Sequence, residues 1–172
     1  MERDEIERAQ WRERLRGWRA EQLIFLDESA ACERTGDRKY GWAPRGKEAT
    51  VHSLFGRSKR WLILPAYTTD GYIAFTIYHG SITKDIFNAF VREEVLPKCT
   101  PYRDGGPRSI IALDNAAIYM LEELETICEE AGVLLARLPA YSCDYNPIET
   151  SFALLKKWLY KNASMADAYG EE

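Results

Sequence analysis

Hydrophobic residues in this chain gather into short unbroken runs and into stripes at helical spacing. The run Ser109-Ile110-Ile111-Ala112-Leu113 reads as a buried strand of a parallel sheet, because a strand covered on both faces needs no polar alternation. Gln22-Leu23-Ile24-Phe25-Leu26 repeats the pattern and reads as the first strand. Residues 60–67 and 72–78 are rich in strand formers and make a hairpin around Thr69-Asp70-Gly71. Residues 133–138 supply a further strand. Between the strands, Ile86, Phe87, Phe90, Val91 and Leu96 recur at helical spacing from a capping Thr83 to Pro97. Ile118, Leu121, Leu124, Ile127 and Cys128 mark a second helix over 117–131, ended by Gly132. Asn146-Pro147 opens a last helix that turns Phe152, Leu155, Trp158 and Leu159 inward. Residues 1–20 set Ile6, Trp11, Leu15 and Trp18 among charges of both signs, the pattern of an amphipathic leading helix.

Residues 29–59 break this rhythm. They read as a long irregular connection with Gly36, Gly41, Pro44, Gly46 and Gly56, leaving room for a short strand near 49–54. A compact domain rarely carries so long a loop without a use. Charge gives that use a direction. The chain carries −4 overall, which argues against nucleic acid. Yet residues 33–60 hold eight basic side chains (Arg34, Arg38, Lys39, Arg45, Lys47, Arg57, Lys59, Arg60) against three acidic ones. Residues 114–149 hold eight acidic side chains against Arg137 alone. A basic segment beside an acidic one suits a phosphodiester enzyme, the first contacting phosphates and the second attracting cations. Trp42 and Arg45, within Gly41-Trp42-Ala43-Pro44-Arg45-Gly46, could stack on a base and pair with a phosphate. Alternatively this is a tight turn with Trp42 tucked into the core.

Composition sets the remaining bounds. A chain of 172 residues makes one domain with a real core, and ten Tyr and five Trp mark it as globular. No run approaches the roughly 20 apolar residues of a membrane span, and the N-terminus has no apolar secretory segment. Four cysteines without a CxxC pair, and only two histidines, argue against zinc and for reduced thiols inside the cell.

Candidate chemistry sits at the ends of the two apolar runs. Asp114-Asn115 follows one and Asp27-Glu28-Ser29 the other, where α/β sheets place ligands. A third carboxylate, Glu149, stands where the last helix opens. Each has a structural alternative: Asp114-Asn115 as a plain turn, and Glu149 as the third helical residue of a capping box led by Asn146. Phe25-Leu26-Asp27-Glu28-Ser29, Leu113-Asp114-Asn115-Ala116 and the block from Leu138 to Glu149 occur in order, flanked by Gly41-Trp42-Ala43-Pro44-Arg45-Gly46. Together they resemble the signature blocks of the DDE superfamily endonuclease domain of mariner-type, fungal-like DNA transposases, over nearly the whole chain.

The resemblance implies an α/β, RNase H-like fold, a mixed five-stranded sheet with helices on both faces. This domain would span residues 1–162, with 1–20 as a leading helix, 29–59 as a basic insertion arm and 163–172 as a truncated C-terminal tail. It implies that Asp27, Asp114 and Glu149 are catalytic and hold two magnesium or manganese ions. Arg34, Arg38, Lys39, Trp42, Arg45, Lys47, Arg57, Lys59 and Arg60 would then bind DNA. Transposon ends would be nicked by hydrolysis and joined to target DNA by a homodimer in the nucleus, with no membrane involved. Three carboxylates suit such chemistry. Two hard cations about 3.5–4 Å apart can activate water, neutralise the transition state and assist the leaving group. Two departures stand out: relatives commonly carry His where this chain has Tyr119, and Tyr-Ser-Pro-Asp-Leu-Asn-Pro is here Tyr141-Ser142-Cys143-Asp144-Tyr145-Asn146-Pro147. A catalytically inactive or domesticated DNA- or protein-binding module is the alternative reading. A third is an RNase H-like nuclease acting on another nucleic acid.

Overall fold

The computed structural model describes residues 4–32, 41–49, 60–114 and 121–162. The strands are β1 (Leu23–Leu26), β2 (Ser29–Cys32), β3 (Arg60–Thr68), β4 (Gly71–His79), β5 (Ile110–Leu113) and β6 (Leu134–Arg137). The helices are α1 (Glu5–Arg16), α2 (Lys84–Phe90), α3 (Leu121–Glu130) and α4 (Ile148–Lys161). β1 and β6 both run parallel to β5, whereas β3 is antiparallel to β1, β2 and β4, so the sheet is mixed.

β1 and β2 share one edge of β3. Leu26 faces Ala66 and, after Asp27 and Glu28, Ser29 faces Ile63 in the same register. They are one strand line broken at Asp27-Glu28, so six segments make five lines across the sheet. The expected loop from residue 29 therefore begins as a strand. Its sequence, Ser29-Ala30-Ala31-Cys32, lacks the β-branched and aromatic residues that announce one. The shared register sets Asp27 opposite Pro65, which has no N–H to give a ladder, and a bulge follows at Ala66/Tyr67 in the β3–β4 pairing.

Successive residues of the apolar runs serve opposite faces. Ile24, Leu26, Ile111 and Leu113 pack with Phe87, Phe90, Val91, Leu124 and Cys128 beneath α2 and α3. Leu23, Phe25, Ile110 and Ala112 pack with Trp11, Ile148 and Phe152 beneath α1 and α4. Helices cover both faces, which is why these strands need no polar positions.

Local signals set most helix ends. Asp4 caps α1 by accepting from the N–H groups of Ile6 and Glu7, and Gly17 ends it, well short of residue 20. Thr83 caps α2, which continues as a π-helical stretch over Val91–Val95 and a 3-10 turn containing Pro97. Gly132, at φ 70°, closes α3: its N–H reaches the Glu129 carbonyl and that of Val133 the Cys128 carbonyl. The expected start of this helix at 117, and residues 50–54 of the short strand, lie outside the described residues. α4 corrects one expectation. Its buried residues are Ile148, Ser151 and Phe152, whereas Trp158 is 59% exposed.

Candidate active site

Leu26 is level with Leu113 in the parallel β1–β5 pair, so Asp27 and Asp114 leave the same end of neighbouring strands. The alternation that turns Leu23 and Phe25 toward α1 and α4 continues to Asp27. There its Oδ2 accepts from Nδ2 of Asn146 at 2.9 Å, and its Oδ1 accepts from the N–H of Glu28 at 2.7 Å. Burial pushes the Asp27 carboxyl up to about 6; the Glu28 amide opposes this, and the charges of Glu149, Asp114 and Glu28 add to it. Of the three carboxylates singled out from the sequence, Asp27 and Asp114 thus leave the same end of the sheet, and the charges of both Glu149 and Asp114 reach Asp27.

They do not form a closed cage. Among the described residues no three His, Cys, Asp or Glu side chains converge closely enough to hold a metal ion. Like charges brought together repel, as the effect of Glu149 and Asp114 on Asp27 shows. An all-oxygen, strongly negative donor set is the kind that magnesium and manganese take. Donor type and charge therefore fit a hard dication, although the spacing is open.

Glu149 lies in the first turn of α4. The helix starts one residue later than the sequence places it: Asn146 is extended (φ −104°, ψ 96°), Pro147, with helical angles, is the cap, and α4 opens at Ile148. The expected capping box is absent. The Asn146 side chain is turned to Asp27 instead of the helix end, and its Oδ1 is buried without a partner. A buried polar atom left unpaired costs about 1–3 kcal/mol. The carboxylate contact is what this side chain gains in exchange for the cap.

Two contributors escaped the sequence reading. Asn146 is one; Arg8 of α1 is the other. Only 7% exposed, Arg8 reaches Ser142 Oγ (2.8 Å) and Asp144 Oδ1 (2.9 Å) through Nη1, and Asp144 Oδ2 (2.6 Å) through Nη2. Its guanidinium stacks 4.3 Å from the centre of the Tyr145 ring, and Asp144 raises its pKa, keeping it charged. Arg12 Nη1 adds a bond to the Tyr145 hydroxyl at 2.8 Å. α1 therefore grips the loop that delivers Asn146 and Glu149. The one trace in the sequence is an arginine one turn before the buried Trp11.

Of the basic arm, Arg34, Arg38, Lys39, Arg57 and Lys59 lie outside the described residues. Trp42, Arg45, Lys47 and Arg60 are exposed. Trp42, at 103%, stands wholly in solvent, so the reading that tucks it into the core is wrong. The turn itself is present: the Lys47 N–H reaches the Pro44 carbonyl at 2.9 Å, with Gly46 at φ 84°. Arg60 opens β3 opposite Cys32.

Comparison with known proteins bears on the fold and the family. No curated protein matches the chain. Among solved structures, the Mos1 transposase paired-end complex with left transposon end superposes with a TM-score of 0.68 at 15% identity, over 96% of this chain and 53% of that one. The Mos1 mariner paired-end complex with Mn gives 0.61 at 18% identity, over 92% and 53%. The Mos1 transposase catalytic domain and raltegravir with Mg gives 0.54 at 16% identity, over 98% and 69%. The chain thus spans about half the length of the first of these relatives. The likeness establishes the fold, an RNase H-like mixed sheet as in the Mos1 catalytic domain. Residues 22–169 match the family described as DDE superfamily endonuclease, and the chain belongs to that family.

Proposed function

We propose that this chain is the catalytic domain of a DNA transposase, a metal-dependent endonuclease that cleaves phosphodiester bonds at transposon ends and joins the freed 3′ ends to target DNA. The observation that carries this reading is the Asp27 carboxyl, half-buried at a break in the strand line and raised to about 6 by desolvation and by the charges of Glu149 and Asp114, in a chain of this family. Asp27, Asp114 and Glu149 would hold two magnesium or manganese ions, which supply an activated water and charge neutralisation when bound. Near neutral pH Asp27 is mostly ionised and ready to serve as a ligand. Trp42, Arg45, Lys47 and Arg60, with Arg34, Arg38, Lys39, Arg57 and Lys59, would hold the DNA backbone without reading its sequence. Transposon ends and target DNA as partners, strand transfer, a homodimeric complex and a nuclear location belong to the same proposal.

Thermal melting and plasmid nicking test it together. Magnesium or manganese should raise the melting temperature, because a ligand bound only by the native state stabilises it by about 2.7 kcal/mol at a hundred times its Kd. Supercoiled DNA should be nicked only with metal. Asp114→Asn should lose both responses while remaining folded. A melting curve indifferent to millimolar metal, with no nicking, would overturn the reading. The open spacing of the carboxylates favours a second reading, a non-catalytic DNA- or protein-binding descendant. That protein would bind DNA yet show neither response.

A further inference from the structure

We infer that Asn146 is a positioning residue for the Asp27 carboxylate, holding it in the orientation that receives a divalent cation; the inference rests on the endonuclease reading above. Asn146 is 4% exposed and lies 119 residues from Asp27 in sequence, yet its Nδ2 donates to Oδ2 of Asp27 at 2.9 Å. The peptide N–H of Glu28 serves the other oxygen. One donor on each oxygen fixes the plane of the carboxylate and leaves each oxygen lone-pair capacity for a cation. This matters because the strand ladder is broken at Asp27, opposite a proline that has no N–H, so the neighbouring strand does not fix this position.

The contact is kept against a structural alternative. Asparagine is among the best helix N-caps, and the backbone of Asn146 has the extended conformation a cap requires. The side chain nevertheless turns away from α4, and its Oδ1 is buried with no partner. The same residue accepts the Glu149 N–H on its backbone carbonyl at 3.2 Å, so it ties the first carboxylate to the third. A neutral amide is the right chemistry. Aspartate could not donate to Asp27, and lysine would place a fixed cation where a metal must compete.

The test is manganese binding to the intact chain by calorimetric titration, comparing wild type, Asn146→Ser and Asn146→Ala. The metal-free melting temperature of each is recorded alongside. Serine can cap α4, so Asn146→Ser should melt at or above the wild-type temperature without metal, yet bind manganese about 10- to 100-fold more weakly. A lower melting temperature with unchanged affinity in the folded variants would mark Asn146 as merely structural and overturn the inference while the endonuclease reading stands. A wild type that binds no manganese would remove both. If neither variant folds, the wild type gives the answer by NMR. The side-chain amide resonances of Asn146 should shift as magnesium is titrated in, and should not shift in Asp27→Asn. An amide unmoved by saturating magnesium would overturn the inference.

Discussion

Asp27 answers to two opposed demands, since a carboxyl made suitable for metal by burial and negative neighbours is costly when no cation is present. Its folded pKa, about 6, lies above the ordinary 3.8, so the folded state binds the proton more tightly than the unfolded one. The sign follows: without metal, this group's stabilising contribution is full below about pH 4 and is lost as pH rises through 6. A two-unit shift corresponds to on the order of 2–3 kcal/mol. Melting curves between pH 4 and 7 should therefore fall more steeply with pH for the metal-free wild type than for Asp27→Asn; parallel curves would show that neither burial nor neighbouring charge raises this carboxyl. Protons and metal compete for the same oxygens, so manganese affinity should weaken below pH 6. Glu149 makes a cleaner case. With no capping box to lose, Glu149→Gln should change unfolding free energy by no more than about 0.5 kcal/mol, the range of ordinary surface changes, while abolishing the melting response to metal. A large destabilisation would restore its structural role.

At the scale of elements, what the sequence disclosed and what it hid differ in kind. The β1 and β5 runs were legible because burial on both faces leaves an unmistakable apolar string, and the turn at Asp70 and the cap at Thr83 carry their own local signals. The Arg8–Asp144 fork and the Asn146–Asp27 bond were not legible, since they join residues 136 and 119 positions apart through the docking of α1 and α4 on one face of the sheet. Periodicity reports which face of an element is apolar, not what that face meets. It misled at Trp158 for the same reason: the residue has the right spacing in α4, yet it is 59% exposed. Phe152→Ala should then cost about 3–5 kcal/mol in urea denaturation, against roughly 0.5 kcal/mol or less for Trp158→Ala. Comparable losses would mean that α4 buries the face its sequence suggested. Arg8→Lys keeps a charge but not the planar fork, so it should lower both the melting temperature and the manganese affinity by loosening the loop that carries Asn146. An unchanged affinity would confine Arg8 to a stabilising role.

Along the whole chain the charge is segregated, and a net −4 conceals it. The acidic carboxylates sit where parallel strands end, whereas Arg45, Lys47 and Arg60 stand in solvent and Trp42 projects wholly clear of the protein. If this chain binds nucleic acid as proposed, such an arrangement makes binding a matter of local contacts, and those contacts can be told apart by salt. Each phosphate neutralised by Lys or Arg releases counterions, so log K falls with log[salt] by about 0.9 per contact on duplex DNA. Arg45→Ala combined with Lys47→Ala should reduce that slope by up to about 2 and weaken binding equally for unrelated sequences. Trp42→Ala should behave differently. An indole stacked on a base contributes about 1–3 kcal/mol without displacing ions, so its loss should lower affinity and leave the slope as it was. Fluorescence titrations of duplex and gapped DNA across a salt series distinguish these outcomes. A double variant with the wild-type slope would remove the Pro44–Lys47 turn from the DNA interface and leave an exposed tryptophan for some other partner.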